Sequence, residues 1–388
     1  MPASGTCPGA RLLLTAYCLL LTAYCLPPTA RRPADLVYNR ATRVTAMDRR
    51  HFLRNSPAAL GLTGLLPAAC SRPAPEADLP RMNRSAFLPA YMKLERTGEL
   101  AEREKQLQAI FSSCRLCPRA CGANRRKGEK GVCQATSRLK VSSAHAHHGE
   151  ERPLVGRGGS GTIFFSHCNL LCVYCQNWEI SHRGDGQYIS DEQLARLMLS
   201  LQERGCHNIN LVTPTHVTPN IVSGLRHAIR MGLRLPLVYN TGGYDSLEVI
   251  RLLDGIVDIY LPDYKYTDPE KAAKYSAEAR DYPEVAAAVI EEMHRQVGEL
   301  TVDERGVGLR GLIIRHLVLP EDIAGTEKFV KYVAERLTRG TYVNIMAQYH
   351  PEHRARQYPE LSRRITAAEY QRAIALARQY GLTNLDRG

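Results

Sequence analysis

The strongest constraint on the fold is an alternation of two hydrophobic periods, which begins near residue 160 and continues to the end of the chain. Short apolar runs predict strands, and the segments between them repeat apolar residues at i, i+3, i+4 and i+7, which predicts amphipathic helices. Strands that alternate with helices form parallel sheets with right-handed crossovers. We therefore predict an α/β fold in which residues 151–388 form a partial (β/α)6 barrel. The predicted strands are residues 161–166, 209–213, 235–239, 256–261, 312–319 and 342–347.

The clearest helix signal is a capping box at Ser190 and Gln193. A serine at the N-cap and a glutamine three residues later satisfy the first free backbone N–H groups of a helix. Gly205 follows the apolar repeat and is a typical C-terminal stop. Further helices are predicted at residues 221–231, 247–253, 284–297, 326–337 and 367–380.

Polar residues follow the predicted strands at several strand ends. In parallel barrels the functional residues gather at the carboxyl ends of the strands. These positions are therefore candidate cofactor contacts, although a barrel without such a site would also place turns there. They are Thr213, His216, Asn240, Asp263, Lys265 and Arg315.

Seven of the 12 cysteines fall into two groups, and this clustering indicates metal binding rather than a disulfide scaffold. The second group, Cys168, Cys172 and Cys175, has the spacing C-x3-C-x2-C. One loop with this spacing can hold three irons of a [4Fe-4S] cubane and leave the fourth iron without a protein ligand. A structural zinc site is the alternative, but it requires four closed ligands, for which His167 would have to supply the fourth.

The text CNLLCVYC around this triad, with Tyr174 before the last cysteine, resembles the cluster motif of the radical S-adenosylmethionine (SAM) superfamily. The longer stretches GSGTIFFSHCNLLCVYCQNWEIS, NINLVTPTHVTP, PLVYNTGGY, DIYLPDYKY and GLIIRHLVLP resemble the PflX branch, which is related to pyruvate formate-lyase activating enzymes. The likeness extends from about residue 114 to residue 382. It implies a [4Fe-4S] cluster whose open iron binds SAM, and reductive cleavage of SAM to a 5'-deoxyadenosyl radical.

The same resemblance implies roles for individual residues. Tyr174 would lie near the adenine, and Asp263 and Lys265 match an Asp-x-Lys that activating enzymes place near SAM. Arg315 would pair with the SAM carboxylate. Residues 213–216 (TPTH) stand where relatives have a Gly-Gly-Glu stretch for the SAM amino group, which is a departure from the family pattern.

The first cysteine group, Cys114, Cys117, Cys121 and Cys133, has the spacing C-x2-C-x3-C-x11-C. Four thiolates make a closed site, which suits either zinc or a second [4Fe-4S] cluster. Residues 86–150 are therefore predicted to form an N-terminal Cys-rich metal-binding segment. We expect this site to tie the segment to the mouth of the barrel.

Residues 1–85 are predicted to be a leader and linker. Arg49 and Arg50 precede an apolar stretch that ends at Cys70, which resembles a twin-arginine export signal starting at Met47. The supply of SAM and reductant favours the cytoplasm, whereas the leader favours export or membrane anchoring. The net charge of +12 is concentrated here, because residues 1–87 hold 11 arginines and 4 acids, and no basic stripe beyond the leader indicates nucleic-acid binding.

Three function classes fit these observations: a radical SAM enzyme, an iron–sulfur electron-transfer protein with a fully ligated cluster, and a zinc-stabilised binding module. The first is favoured by the triad. The activating-enzyme resemblance implies a glycine in a glycyl-radical protein as substrate, with a small molecule or another peptide as the alternative. The expected redox partner is a reductant protein of the flavodoxin or ferredoxin type.

Overall fold

A computed structural model describes residues 79–386. Met47, the Arg49–Arg50 pair and Cys70 of the predicted leader lie outside the described residues. The described chain contains six parallel strands, which pair in the order β2 (Ser160–Phe165), β4 (Ile209–Val212), β5 (Leu237–Thr241), β6 (Ile259–Pro262), β8 (Gly308–Leu317) and β9 (Tyr342–Met346). The prediction of an α/β fold with a partial barrel of six parallel strands is confirmed.

Three further strands extend the sheet in a way that the sequence patterns did not predict. β1 (Lys140–His147) pairs antiparallel with the outer edge of β2, and β3 (Gln187–Tyr188) pairs with β1. β7 (Thr301–Val302) pairs antiparallel with β8. Because β1 occupies the free edge of β2, the barrel does not close through that edge.

The helices surround the parallel strands, and several begin and end where the sequence predicts. The capping box at Ser190 is present, with its hydroxyl accepting from the Gln193 N–H at 3.1 Å. The helix after it buries Leu194, Met198 and Leu201. The helices are α1 (Tyr91–Thr97), α2 (Glu99–Ala109), α3 (Arg152–Val155), α4 (Asp191–Glu203), α5 (Thr218–Arg230), α6 (Leu247–Leu252), α7 (Pro269–Tyr275), α8 (Tyr282–Val297), α9 (Thr326–Arg336) and α10 (Ala367–Gln379).

The parallel strands present two different faces. Their outward side chains, such as Ile163 and Ile314, join the main core beneath the helices. Inward side chains, such as Ile259 and Ile313, form a separate cluster with Leu154 from α3. Because successive side chains of a strand alternate between faces, the inner face of β8 carries Ile313 and then Arg315. The barrel interior is thus apolar at one level and polar nearer the carboxyl ends of its strands.

No helix within residues 79–386 is both long enough and apolar enough to cross a membrane.

Candidate cluster and cofactor site

The three cysteines of the triad lie on one loop at the carboxyl end of β2. His167 and Leu171 adopt left-handed backbone conformations, with φ of 78° and 49°, which lets the chain turn sharply around the three thiols. Cys172 is buried, and Cys168 and Cys175 are half-buried. The loop therefore presents three thiols to one region of space.

Burial raises the pKa of all three thiols, and each is raised further by another member of the triad. The three groups thus lie close enough to act on one another electrostatically. Soft thiolate donors on one loop, without a fourth cysteine in that loop, suit a [4Fe-4S] cluster with one open iron. No group of three His, Cys, Asp or Glu side chains within the described residues converges tightly enough to hold a single metal ion.

The triad loop is held by neighbouring loops on both sides. The Val173 N–H donates to the Tyr275 carbonyl at 2.9 Å, and the His167 N–H donates to the Ile180 carbonyl at 2.9 Å. Asn169 donates its side-chain amide to the Tyr244 carbonyl at 2.6 Å. These bonds fix the loop to the end of α7, to the turn that follows the triad and to the segment after β5.

Four of the candidate cofactor residues form one ion-pair and hydrogen-bond network inside the barrel. Lys265 Nζ lies 2.6 Å from Asp263 Oδ2, and Arg315 Nε lies 2.7 Å from Asp263 Oδ1. Arg315 also donates to Asn240 Oδ1 at 2.5 Å. The structure thus brings together residues from β5, from the segment after β6 and from β8.

Electrostatics keep this network charged. Burial alone would raise the pKa of Asp263, but Arg315 and Lys265 outweigh it and lower the pKa overall. Burial would lower the pKa of Lys265, but Asp263 and then Cys172 outweigh it and raise the pKa. The interaction with Cys172 shows that the ammonium lies within electrostatic reach of the triad. Positive charge therefore stands beside the three thiols.

A glycine permits the close approach of two loops at this network. Gly243 has φ of +79°, and any side chain there would collide with the Asp263 carbonyl oxygen. Position 243 therefore requires glycine, because of both the positive φ and the close contact. Tyr282 completes the junction by donating to the Gly242 or the Asp263 carbonyl, each 2.9 Å from its hydroxyl.

The network continues to residues that the sequence analysis missed. Arg315 lies 3.9 Å from a carboxylate oxygen of Glu150, and His147 lies 3.4 Å from the other oxygen. Asn344 donates to Glu151 Oε1 at 3.0 Å, while Glu151 Oε2 is buried without a hydrogen-bond partner. The only hint of these residues in the sequence was the adjacent pair Glu150 and Glu151, which lies shortly after β1. The pair was not recognised because β1 itself was not predicted.

The remaining candidate residues lie outside this network. His216 is buried and donates from Nε2 to the Ser166 carbonyl at 2.7 Å; burial lowers the pKa of this imidazole to about 3. Thr213 has φ of 59°, and its N–H donates to the Asn240 carbonyl. Tyr174 is buried with its ring beside the rings of Tyr266 and Tyr349.

The four N-terminal cysteines lie in one segment of the described chain, although their thiols do not converge on a single point. Burial raises the pKa of Cys117 to about 12, and electrostatic interactions with Cys133 and Cys114 contribute to the rise. A side chain at Gly131 would collide with Cys121 Sγ. The thiol of Cys121 therefore lies beside the segment that leads to Cys133. The donor set suits a closed four-thiolate metal site.

Direct hydrogen bonds connect this segment to the triad loop. Arg119 donates to the Asn169 carbonyl at 2.7 Å and to the Ser276 carbonyl at 3.2 Å. Arg125, which is buried, donates to the His216 carbonyl at 2.7 Å. The segment is therefore fastened to the carboxyl ends of the strands by its arginines.

A partial (β/α) barrel with three thiols on the loop after its first parallel strand defines the class of protein. The sequence profile of the radical SAM superfamily matches residues 162–316. The chain is 34% identical over 281 residues to "Uncharacterized protein MJ0674" of Methanocaldococcus jannaschii, covering 70% of this chain and 76% of that protein. This chain belongs to the radical SAM superfamily. Membership implies a [4Fe-4S] cluster, SAM as the second cofactor and radical chemistry that begins with the cleavage of SAM.

The similarity to two solved structures is lower. A radical SAM methyltransferase from Sphaerobacter thermophilus has a TM-score of 0.40 and 16% identity, covering 58% of this chain and 67% of that one. The structure "Native anSMEcpe with bound AdoMet" has a TM-score of 0.37 and 12% identity, covering 57% and 61%.

Proposed function

We propose that this protein reductively cleaves SAM at a [4Fe-4S] cluster held by Cys168, Cys172 and Cys175, and that the resulting 5'-deoxyadenosyl radical abstracts hydrogen from its substrate. The observation that carries the proposal is the placement of three thiols beside a buried, charged network at the carboxyl ends of the strands. When bound, the cluster supplies the electron that breaks the C5'–S bond of SAM. The chain supplies the charges and donors that orient SAM.

In this proposal the network of Asn240, Asp263, Lys265 and Arg315 lines the SAM site next to the triad loop. The guanidinium of Arg315 suits a carboxylate, because its donors form a planar fork. The Asp263 carboxylate holds both Arg315 and Lys265 in place, so that neither cation depends on SAM for its position. Tyr174, Thr213 and His216 stay candidate contacts at the edge of this site.

The N-terminal cysteines are proposed to bind a second metal centre, either zinc or [4Fe-4S]. All four thiols lie in one segment, and Arg119 and Arg125 bring positive charge to it, which suits a site that carries several thiolates. The proposed electron donor for the triad cluster is a flavodoxin- or ferredoxin-type protein.

For the substrate, we propose a glycine in a polypeptide loop of a glycyl-radical protein. The resemblance to activating enzymes supports this class. A six-stranded barrel that does not close also has a more open mouth than a full eight-stranded barrel, which favours a polypeptide loop over an enclosed small molecule. A small molecule or another peptide is the alternative.

The cofactor proposal is tested with protein reconstituted anaerobically with iron and sulfide. After reduction with dithionite in the presence of SAM, we expect 5'-deoxyadenosine and methionine from the wild type and from Cys206→Ala, which removes a buried cysteine outside both groups. Cys172→Ala should release neither product. Brown wild-type protein that binds iron but leaves SAM intact would favour an electron-transfer protein, and colourless protein would favour a zinc-stabilised module.

The substrate proposal needs a separate measurement. Active enzyme incubated with a glycyl-radical protein encoded by the same host should produce a glycyl radical signal in electron paramagnetic resonance (EPR) spectra, and the Cys172→Ala enzyme should not. SAM cleavage without a glycyl signal for every such partner would exclude the glycine substrate.

A further inference from the structure

Two serine hydroxyls lie against two of the three thiols of the triad. Ser276 Oγ lies 3.0 Å from Cys172 Sγ, and Ser181 Oγ lies 3.1 Å from Cys175 Sγ. Both serines are buried. They come from different parts of the chain, since Ser181 belongs to a π-helical turn (Glu179–Arg183) and Ser276 follows α7.

The direction of both bonds is fixed by the chemistry of the thiols. A cysteine sulfur bound to iron is a thiolate and carries no hydrogen, so the serine hydroxyl is the only donor available in each pair. Each serine has one hydroxyl hydrogen, and that hydrogen must therefore point at the sulfur. Any other partner of the serine oxygen has to be a donor.

The surroundings supply such a donor to each serine. Tyr266 Oη lies 3.0 Å from Ser276 Oγ, so the two buried hydroxyls form a chain that ends at Cys172. His182 Nδ1 lies 2.9 Å from Ser181 Oγ. In this arrangement Tyr266 and His182 hold the serine hydroxyls in the orientation that the thiolates need.

We propose, on the basis of the SAM-cleavage function above, that Ser276 and Ser181 are positioning residues that set the reduction potential of the triad cluster. Reduction adds one electron, supplied by the low-potential electron donor, and increases the negative charge shared by the thiolates. Hydrogen bonds to cluster sulfurs favour the more negative, reduced state and so raise the reduction potential. Tyr266 acts through Ser276, and His182 acts through Ser181.

The structure offers a matched control in Ser166. This serine is also buried and lies two residues before Cys168, but its hydroxyl donates to the Asp185 carbonyl at 2.7 Å rather than to a thiol. Ser166→Ala therefore removes a buried hydroxyl from the same neighbourhood without removing a bond to sulfur.

The test is a dithionite titration of the reconstituted holoenzyme, followed through the EPR signal that responds to added SAM. We expect Ser276→Ala and Ser181→Ala each to shift the midpoint potential to more negative values, and the double variant to shift it further. Ser181→Thr, which keeps a hydroxyl, should restore the potential towards the wild-type value, and Ser166→Ala should leave it unchanged. Tyr266→Phe should shift it in the same direction as Ser276→Ala but by less.

Wild-type potentials in both alanine variants would overturn the proposal, as would an equal shift in Ser166→Ala. If Ser276→Ala does not fold, Ser181→Ala and Tyr266→Phe still decide the outcome. A wild-type protein without a reducible, SAM-responsive cluster would instead contradict the proposed function itself, so the two failures can be distinguished.

Discussion

The two cysteine groups of this chain differ in the spacing of their thiols and in the residues that surround them. The triad places three thiols within eight residues at a strand end, beside the charged network of Asp263, Lys265 and Arg315. The N-terminal group spreads four thiols over 20 residues in a segment that is fastened to the barrel by arginines. In the proposed assignment, the open site depends on a neighbouring network to receive its ligand, whereas the closed site would depend only on its own thiols.

The largest effect on local structure is expected when the N-terminal group is broken. Binding of a structural metal contributes directly to folding, and in small zinc modules it is worth roughly 10–16 kcal/mol. Cys114→Ala should therefore lose the second metal, lower the thermal unfolding midpoint and expose residues near Cys133 to proteases. Metal analysis of the wild type should give about four irons with one zinc, or about eight irons.

Cys206→Ala provides the control for this variant, since Cys206 is buried but belongs to neither group. It should keep the full metal content and show a smaller change in the unfolding midpoint. A wild-type protein with no metal beyond one cluster would show that the N-terminal thiols do not form a second site.

A smaller loss of stability is expected when the charged network is broken. This network lies next to the triad and not next to the N-terminal group. Removing one partner of a buried ion pair typically costs about 3–5 kcal/mol, because the other charge is left uncompensated. Arg315→Met should therefore lower the free energy of unfolding by that order and weaken SAM binding, measured by urea denaturation and equilibrium dialysis. Arg336→Met breaks an exposed pair with Glu291 and should cost much less stability, because solvent screens this pair.

Equal losses in these two arginine variants would contradict the assignment of Arg315 to a buried, functional network. Arg315→Lys sharpens the result, since it keeps the charge but removes the planar fork. We expect it to recover part of the stability and little of the SAM affinity.

The smallest expected effect is a pH dependence of the free energy of unfolding. It arises from a residue of the barrel and involves neither cysteine group. His316 is buried against Phe329, and its Nδ1–H donates to the Tyr264 carbonyl at 2.8 Å. Burial lowers its pKa to about 4. Below about pH 6.5 the unfolded chain binds a proton that the folded chain does not, so stability falls as the pH decreases, by up to about 1.4 kcal/mol per pH unit.

The full contribution to stability is present above the unfolded pKa and is lost progressively as the pH falls towards the folded pKa of about 4. Urea denaturation of the wild type and of His316→Gln between pH 7 and pH 5 checks the sign. The wild type should lose more stability over this interval than the variant. An equal loss in both proteins would show that His316 does not contribute.

Much of the barrel was predictable because its strands and helices have clear hydrophobic periods. The strand pattern ahead of the triad and the capping box at Ser190 both correspond to elements of the structure. β1 was missed because its sequence, KVSSAHAH, alternates small and polar residues and buries only Val141. The carboxylates after it, Glu150 and Glu151, were consequently not recognised as part of the network.

The site could be predicted from the sequence only where closely spaced residues indicate a particular chemistry. The triad needs three thiols on one loop, and that spacing is visible in the sequence. Asn240, Asp263 and Arg315 were recognised as strand-end residues, but their mutual hydrogen bonds depend on sheet pairing, which pairs Asp263 with Arg315 across 52 positions of sequence. Ser181 and Ser276 carried no signal, since a serine acquires its role here only from contact with a thiol.

The most direct test of the difference between the two cysteine groups is the response of the reduced protein to SAM, measured by EPR spectroscopy. We predict that SAM changes the cluster signal of the wild type and of Cys114→Ala, because the open iron belongs to the triad. The Cys172→Ala protein should show no SAM-dependent change. A SAM response that survives in Cys172→Ala, or one that is lost only in Cys114→Ala, would contradict the assignment of the triad as the SAM-binding cluster.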